Sequence, residues 1–255
     1  MSHEVRLVVF DFDGVMIDFE PERRLQFLER LTGKPATDIH AAIWGSDFER
    51  NAEQGAYRTG DAYLAGFNAR LGFELSRAQW IAARRAAMRL RPDMVEYARS
   101  LGERVALALL TNNGALLHEA LPELVPEVCG VFANSLVESG RGPFDTPDKR
   151  RDFCRADSLV ESGRGPFDTP DKRRDFCRAN HLHASYEFGA RKPDTLVFTR
   201  LLEHCRVPAQ QAVFIDDDDP FIQGAISAGM HGIHFQGLPA LRAALEPLLA
   251  TRAQH

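Results

Sequence analysis

Two carboxylates directly follow the first apolar run of the chain. The run VRLVVF has the character of a buried strand, and the next residues, DFDGV, place Asp11 and Asp13 at its end. A carboxylate in such a place is costly unless a cation compensates its charge. Side chains alternate along an extended strand, so these two point to the same side. One of them can be a nucleophile while the other transfers protons.

Three later motifs offer groups that serve the same chemistry. They supply a hydroxyl, an amide, an ammonium and more carboxylates: Thr111 and Asn112 in LLTNN, Lys192 in GARKPD, and Asp216 and Asp217 in FIDDDD. Taken singly, each has an ordinary explanation as a turn cap, a solvated loop residue or an acidic surface. Each motif also lies near a predicted strand end, and on a parallel sheet such ends share one crevice.

Oxygen ligands of this kind suit a hard cation. Asp11 with one or both of Asp216 and Asp217 fits Mg²⁺, which prefers few carboxylates and keeps its other positions for water and phosphate. The metal and Lys192 would offset the carboxylate charge and hold a phosphoryl group, whose transfer depends on positioning and charge stabilisation. Further donors to that group are the Thr111 hydroxyl and backbone amides around Gly14 and Asn112.

The elements that must position these residues alternate along the chain. Short apolar runs typical of buried strands occur at Val5 to Phe10, Val105 to Leu110, roughly His181 to Ser185, Ala212 to Ile215 and Gly232 to Phe235. Helical stretches between them start at recognisable residues, namely Ser76, Pro92 and Pro220. This alternation predicts an α/β protein with a doubly wound, Rossmann-like parallel sheet.

The stretch 18–90 interrupts the alternation. It contains amphipathic helical segments such as ERRLQFLERL and DAYLAGFNARL, and no convincing strand. We therefore predict a small helical cap domain at 18–90, inserted after the first strand, and a core made of 1–17 and 91–255. Because the insertion begins just after DFDGV, it can hang over the crevice as a lid.

Composition narrows the choice of partners. The 255-residue chain is 44% hydrophobic, enough for a full core, and its formal net charge of -5 argues against nucleic acid or an acidic membrane as the main partner. The chain has no apolar run of bilayer-spanning length, and its start lacks signal-peptide features, so we expect a cytoplasmic protein. The cysteines form no CxxC pair, so their pattern suggests neither a zinc site nor disulfides.

One segment of the chain is duplicated. SLVESGRGPFDTPDKRRDFCRA occupies 135–156 and recurs letter for letter at 158–179. In each copy a turn-like stretch precedes a helix start, at Thr146 or Thr169, which predicts a duplicated insertion at 135–180 with a loop and a short helix per copy. The few apolar residues per copy favour an appendage, or an element of homo-oligomer formation, over a separate domain. We expect its excision to leave a folded enzyme.

The order DxDGV, T-N, K-P and D-D resembles the four motifs of the haloacid dehalogenase superfamily, and these motifs span almost the whole chain apart from the repeats. The resemblance implies a nucleophile, an acid/base and two further catalytic groups, which are Asp11, Asp13, Thr111 and Lys192 respectively. It also implies Mg²⁺ ligands: the side chains of Asp11, Asp216 and Asp217 and the backbone carbonyl of Asp13. The segment 18–90 is then similar to the family's C1-type cap.

Two details refine this resemblance. The dehalogenase branch lacks the second aspartate, so Asp13 favours phosphate chemistry. Many members carry an asparagine a few residues after the acidic pair, where this chain has Phe221, a departure that bears on the support of the metal. Spacing and cap length are most similar to sugar-phosphate phosphatases of the α-D-glucose-1-phosphate phosphatase kind.

The resemblance predicts a Mg²⁺-dependent phosphatase that hydrolyses a small phosphate monoester, a sugar phosphate or similar metabolite, through an aspartyl phosphate. One alternative is a catalytically silent core whose duplicated segment mediates self-association or partner binding. A second is a signalling receiver domain, but receivers carry the acidic pair near the amino end and finish with lysine, whereas here the acidic pair comes last.

Overall fold

A five-stranded parallel sheet forms the centre of the described part of the chain. The structure, a computed structural model, describes residues 4–133 and 169–250. The strands of the sheet are β1 (Leu7–Phe10), β4 (Ala106–Thr111), β5 (Leu182–Ala184), β6 (Ala212–Asp216) and β7 (His231–His234). They lie in the order β5-β4-β1-β6-β7. All five strands predicted from the sequence are confirmed, as is the doubly wound α/β class.

The central strand β1 shows why its sequence is apolar throughout. All four of its residues are buried. Leu7 and Val9 belong to the hydrophobic cluster on one face of the sheet, and Val8 and Phe10 to the cluster on the other. Side chains of a strand alternate between faces, so a strand covered on both sides has no place for a polar residue until it ends.

Helices cover both faces of the sheet. Those of the core are α6 (Pro92–Gly102), α7 (Ala115–Leu124), α8 (Pro126–Ala133), α9 (Pro170–Ala179), α10 (Thr195–Cys205), α11 (Asp219–Ser227) and α12 (Leu238–Ala250). The predicted starts at Pro92 and Pro220 lie in the first turns of α6 and α11. Among the described residues, none of these helices is both long and apolar enough to cross a membrane.

The insertion after β1 is mostly helical, with a strand at each end. Its helices are α1 (Pro21–Thr32), α2 (Ala36–Ala42), α3 (Phe48–Glu53), α4 (Gly60–Leu71) and α5 (Arg77–Ala86). They are framed by β2 (Ile17–Phe19) and β3 (Met88–Leu90), which pair antiparallel. The prediction of no strand in this stretch was therefore wrong. Each strand has three residues and finds its partner only across the whole insertion, so no local pattern marks it.

The start of α5 follows its sequence signal, and its end does not. Ser76 caps the helix and forms a reciprocal capping box with Gln79, as its place before RAQW predicts. The helix ends at Ala86, although the helical stretch RAQWIAARRAAMRL that follows Ser76 continues to Leu90 in the sequence. Pairing with β2 draws Met88–Leu90 into extended conformation instead. Tertiary pairing thus overrides local helix propensity here.

The second copy of the repeat contributes α9, which packs into the core. The Cys177 side chain is buried and donates to the His118 backbone oxygen of α7 at 3.3 Å. Arg174 forms an ion pair with the buried Glu119 of the same helix. For this part of the repeat the expectation of an appendage was wrong, because α9 covers α7 and precedes β5. The first copy and the start of the second lie outside the described residues.

Candidate active site

The sheet order brings the predicted acidic residues to one crevice. β1 lies between β4 and β6, at the point where the order of the strands reverses, and polar groups at the carboxyl ends of these strands share that crevice. Asp11 directly follows β1, and Asp216 ends β6. Carboxylate oxygens of Asp11, Asp216 and Asp217 lie within 4.8 Å of one another. The three acidic residues predicted to bind a metal through their side chains therefore form one cluster.

Lys192 is the cation of this cluster. Its ammonium Nζ lies 2.7 Å from Asp11 Oδ1 and 2.6 Å from Asp216 Oδ2, and its side chain is 1% exposed. Burial alone would lower the pKa of Lys192, but the charges of Asp11 and Asp216 outweigh burial and raise it. The lysine is therefore held charged at the bottom of the crevice.

One lysine does not balance three carboxylates. Burial, opposed by Lys192 and reinforced by Asp216, raises the pKa of the Asp11 carboxyl to about 8. Partial burial and the Asp216 charge also raise the pKa of Asp217. A divalent cation would supply the missing positive charge, and three carboxylates are donors of the type that hard cations take. The residues present thus fit a bound divalent metal.

Asp13 stands beside this cluster and has its own partners. Arg84 of α5 donates from Nη2 to both Asp13 oxygens, at 2.5 Å to Oδ1 and 2.6 Å to Oδ2. Asn113 Nδ2 donates to Asp13 Oδ2 at 3.3 Å and to Thr111 Oγ1 at 2.8 Å. The Asp13 side chain is 27% exposed, so it faces the open side of the crevice. Among the described residues, its carboxylate does not belong to the group of three that could hold a metal ion.

Asn112 acts on Lys192 through the backbone. Its side chain accepts from the Lys192 amide at 2.9 Å and donates to the Lys192 carbonyl at 3.0 Å. This pair of bonds links the end of β4 to the loop that carries the lysine. A substrate contact from the Asn112 backbone stays a prediction, whereas its side chain positions the lysine.

Gly14 has two structural reasons to be glycine. Its φ is +87°, a conformation that other residues adopt only with strain. A Cβ at this position would overlap the Asp217 carboxylate. Its amide donates to the Ile17 carbonyl at 2.8 Å, so this amide is engaged in a turn, and its predicted contact with substrate stays a prediction.

Phe221 occupies the place where the resemblance leads one to expect an asparagine. Its ring centroid lies 4.8 Å from Lys192 Nζ, and that of Phe214 lies 5.3 Å away. Two aromatic faces thus border the ammonium and attract its charge. Phe221 therefore stabilises the charge of Lys192, whereas an asparagine at this position would support the metal by hydrogen bonding.

The insertion brings a second arginine near the crevice. Arg24 of α1 is buried, with its guanidinium 5.0 Å from the Trp44 ring centroid and 4.8 Å from that of Trp80. Within the part of the chain that the structure describes, its Nε and Nη2 have no hydrogen-bond partner. Both Arg84 and Asp13 lie close enough to act on it electrostatically. Such unpaired donors near Asp13 are suited to an oxygen-rich ligand.

Sequence reasoning missed Arg84, Asn113 and Arg24. Asn113 stands in the quoted motif LLTNN, so its position after Asn112 was a usable signal. The two arginines belong to amphipathic helices outside the motifs, and nothing local distinguishes them from surface charges. Their roles depend on how the insertion folds over β1.

Solved structures share the fold of this chain. A HAD-like family hydrolase from Porphyromonas gingivalis superposes with a TM-score of 0.65 at 18% identity, covering 99% of this chain and 100% of the other. A HAD family enzyme from Bacteroides thetaiotaomicron, in complex with magnesium and inorganic phosphate, gives 0.60 at 16% identity, covering 90% and 93%.

A 2-haloacid dehalogenase from Pseudomonas syringae pv. tomato DC3000 gives a TM-score of 0.52 at 17% identity, covering 98% of this chain and 100% of the other. No protein-family model and no curated protein matches the sequence. At these identities the structural likeness concerns the fold. This chain therefore has the fold of the haloacid dehalogenase-like hydrolases.

Proposed function

We propose that the protein is a Mg²⁺-dependent phosphatase that hydrolyses a small phosphate monoester through an aspartyl phosphate. The observation that carries the proposal is the cluster of Asp11, Asp216 and Asp217 around Lys192, with Asp13 two residues beyond the nucleophile. The magnesium and phosphate in the Bacteroides structure support the choice of metal and of substrate group.

The first step would form a bond between an Asp11 carboxylate oxygen and the phosphorus while the bond from phosphorus to the leaving oxygen breaks. Asp13 gives its proton to that leaving oxygen. Lys192 and the Thr111 hydroxyl contact phosphoryl oxygens during the transfer. Lys192 and Thr111 are both buried, and electrostatic contacts are stronger where water has little access.

The second step would release the phosphate. Asp13, now ionised, takes a proton from water, whose oxygen attacks the phosphorus, and the bond to Asp11 breaks. Both carboxylates return to their starting states. Asp11, Asp216, Asp217 and the Asp13 carbonyl would hold Mg²⁺, which supplies charge stabilisation to the phosphoryl oxygens.

We further propose that residues 18–90 act as a cap over the crevice. Two ion pairs support this: Arg84 of α5 with Asp13, and Glu53 of α3 with Arg191, whose Nε lies 2.5 Å from Glu53 Oε2. The buried donors of Arg24 suit a leaving group rich in oxygen, such as a sugar. A sugar phosphate or similar metabolite is therefore the substrate class we favour.

The likeness to a haloacid dehalogenase suggests a second reaction on the same fold, displacement of halide by Asp11. The presence of Asp13 argues against the dehalogenase reaction, because a halide leaves without a proton and needs no acid beside the nucleophile. The pairing of Asp13 with Arg84 and Asn113 further indicates a defined role for this carboxylate.

The test is phosphate release from a panel of phosphate esters with Mg²⁺, with and without chelator, for the wild-type chain and Asp11→Asn. Metal-dependent release that the substitution abolishes is the expected result. Release of halide from 2-haloacids without phosphatase activity would replace the proposal with the dehalogenase reaction. Neither activity in a folded chain would favour a silent core that binds a partner.

A further inference from the structure

A cluster of three histidines lies outside the catalytic crevice. His181 precedes β5, His183 lies within β5, and His204 is the penultimate residue of α10. One ring nitrogen from each lies within 4.8 Å of the corresponding atoms of the other two. The ring centroids of His183 and His204 are 4.7 Å apart, and His181 lies 5.9 Å and 5.8 Å from these two rings. Three imidazoles from two elements therefore converge at one place.

The hydrogen bonding of His183 sets its tautomer. Its Nδ1 lies 3.3 Å from Glu187 Oε2, which is a carboxylate and can only accept. The proton of a neutral His183 ring is therefore on Nδ1, and Nε2 carries a lone pair. That Nε2 is buried and has no hydrogen-bond partner among the described residues. A buried acceptor without a donor is costly unless something else binds it.

Glu187 is held in position to accept a hydrogen bond from His183. Arg178 Nε donates to its Oε1 at 2.6 Å, and the Ala184 amide donates to its Oε2 at 3.3 Å. His118 is a further neighbour of Glu187, at 3.6 Å from Nε2 to Oε2. A fixed carboxylate that accepts from one histidine nitrogen while the other faces a metal is the usual outer support of histidine ligands. The arrangement thus has both the donors and their support.

We propose that His181, His183 and His204 form a second metal site, distinct from the carboxylate cluster, that takes a divalent transition ion such as Zn²⁺. Imidazole nitrogen suits Zn²⁺, whereas Mg²⁺ prefers oxygen, so the two sites select different ions. Three histidines with water in the fourth position form a known zinc geometry. The cysteine pattern gave no hint of it, although the Cys205 thiol lies close by, with Sγ 3.6 Å from His181 Nδ1.

Binding would draw the rings closer together. Zinc to nitrogen bonds of about 2.0–2.1 Å in a tetrahedral arrangement place ligand nitrogens about 3.4 Å apart. The exposed His204 side chain, at the end of α10, has the freedom to make this adjustment, whereas His183 is fixed by Glu187. The ion would tie α10 to the edge strand β5 and stabilise the folded chain.

The experiment measures zinc bound to the full chain in the presence of excess Mg²⁺, which occupies the carboxylate cluster. The chain is exposed to Zn²⁺ and desalted, and its metal content and melting temperature are then determined. We expect one zinc per chain and a raised melting temperature. His204→Gln removes an exposed ligand and should lose both effects, while His40→Gln, at another exposed position, and Asp217→Asn, in the carboxylate cluster, should keep them.

Two results would overturn the proposal: no retained zinc in the wild-type chain, or full retention by a folded His204→Gln variant. A loss of zinc in Asp217→Asn with retention in His204→Gln would assign the ion to the carboxylate cluster instead. Nitrogen NMR of the wild-type chain gives a readout without substitution. Zinc should shift the ring nitrogens of three of the nine histidines, and a spectrum that does not change would contradict the site.

Discussion

Arg84 Nη2 lies 2.5 Å and 2.6 Å from the two carboxylate oxygens of Asp13, and this contact joins helix α5 of the insertion to the loop after β1. The Arg84 side chain is 4% exposed, and its guanidinium lies 4.0 Å from the Phe19 ring centroid. Burial and the Phe19 ring hold the Arg84 guanidinium in place. Its two hydrogen bonds therefore fix the position of the Asp13 carboxylate. The Asp13 carboxylate, which we propose transfers protons, is therefore positioned by a residue of the insertion.

Arg84→Met, which keeps much of the side-chain volume, should lower kcat by about 10- to 100-fold, because a displacement of about 1 Å at a reacting group costs about 100-fold. Steady-state kinetics with the best ester of the panel measures this. Arg85→Met is the matched control, since the adjacent arginine is exposed and donates to the Glu123 carbonyl. Equal activity of both variants would show that Arg84 does not position Asp13.

Asp13→Asn should lower kcat by about 100- to 10,000-fold for an alkyl phosphate, the usual contribution of general acid/base catalysis. The loss in the first step should be smaller for p-nitrophenyl phosphate, whose leaving group departs without a proton. The second step still needs the base, so phosphorylated Asp11 should accumulate and be found by mass spectrometry of the quenched protein. The same loss for both esters, with no phosphorylated protein, would assign Asp13 another role.

Gly14→Ala should raise the Mg²⁺ concentration needed for half-maximal activity, because the new methyl group overlaps the Asp217 carboxylate and displaces it. Gly33→Ala is a close control. Gly33 also has a positive φ, of 71°, but a Cβ there meets no atom of the described residues within 4 Å. Backbone strain is thus common to both variants, and displacement of Asp217 is not. An unchanged Mg²⁺ dependence in Gly14→Ala would remove Asp217 from the metal ligands.

The ion pairs of Asp18, at the start of the insertion, lead us to expect that the stability of the fold depends on pH. Burial opposes its ionisation, but hydrogen bonds from Arg91 and Arg89 outweigh burial and lower the pKa of Asp18. A lowered pKa stabilises the fold above the unfolded value of about 3.9, and this stabilisation is lost as the pH falls from there through the folded value.

The free energy of unfolding of the wild-type chain should exceed that of Asp18→Asn by up to about 1 kcal/mol near neutral pH, the range of exposed ion pairs. The difference should shrink as the pH falls below about 4. Urea unfolding at several pH values measures it. A difference that grows in acid would contradict the sign of the effect.

The duplication can be tested by two deletions. Removal of residues 135–157 leaves one complete copy and keeps α9, so the chain should remain folded and active. Removal of residues 135–180 takes away α9 with its buried Cys177 and uncovers α7, so that chain should lose cooperative thermal unfolding. Circular dichroism during heating compares the two. A well-folded second variant would restore the expectation that the whole segment is an appendage.

The sequence alone predicted the core strands and the residues that meet at their ends. This was possible because a strand buried on both faces must be apolar throughout, and its polar chemistry can begin only where it stops, as at Asp11 and Asp216. The glycine after Asp13 and the capping box at Ser76 are likewise local rules that act within a few residues.

Tertiary structure decided what depends on contacts between distant segments. Arg84 and Asp13 are far apart in sequence and meet only because the insertion folds back on β1. The strands β2 and β3 have three residues each, too few for a sequence pattern to predict them. The buried face of α9 is defined only by its contact with α7. The three histidines become a cluster only where α10 ends beside β5. These contacts leave no pattern in a short stretch of sequence, because the residues that form them are far apart in the chain.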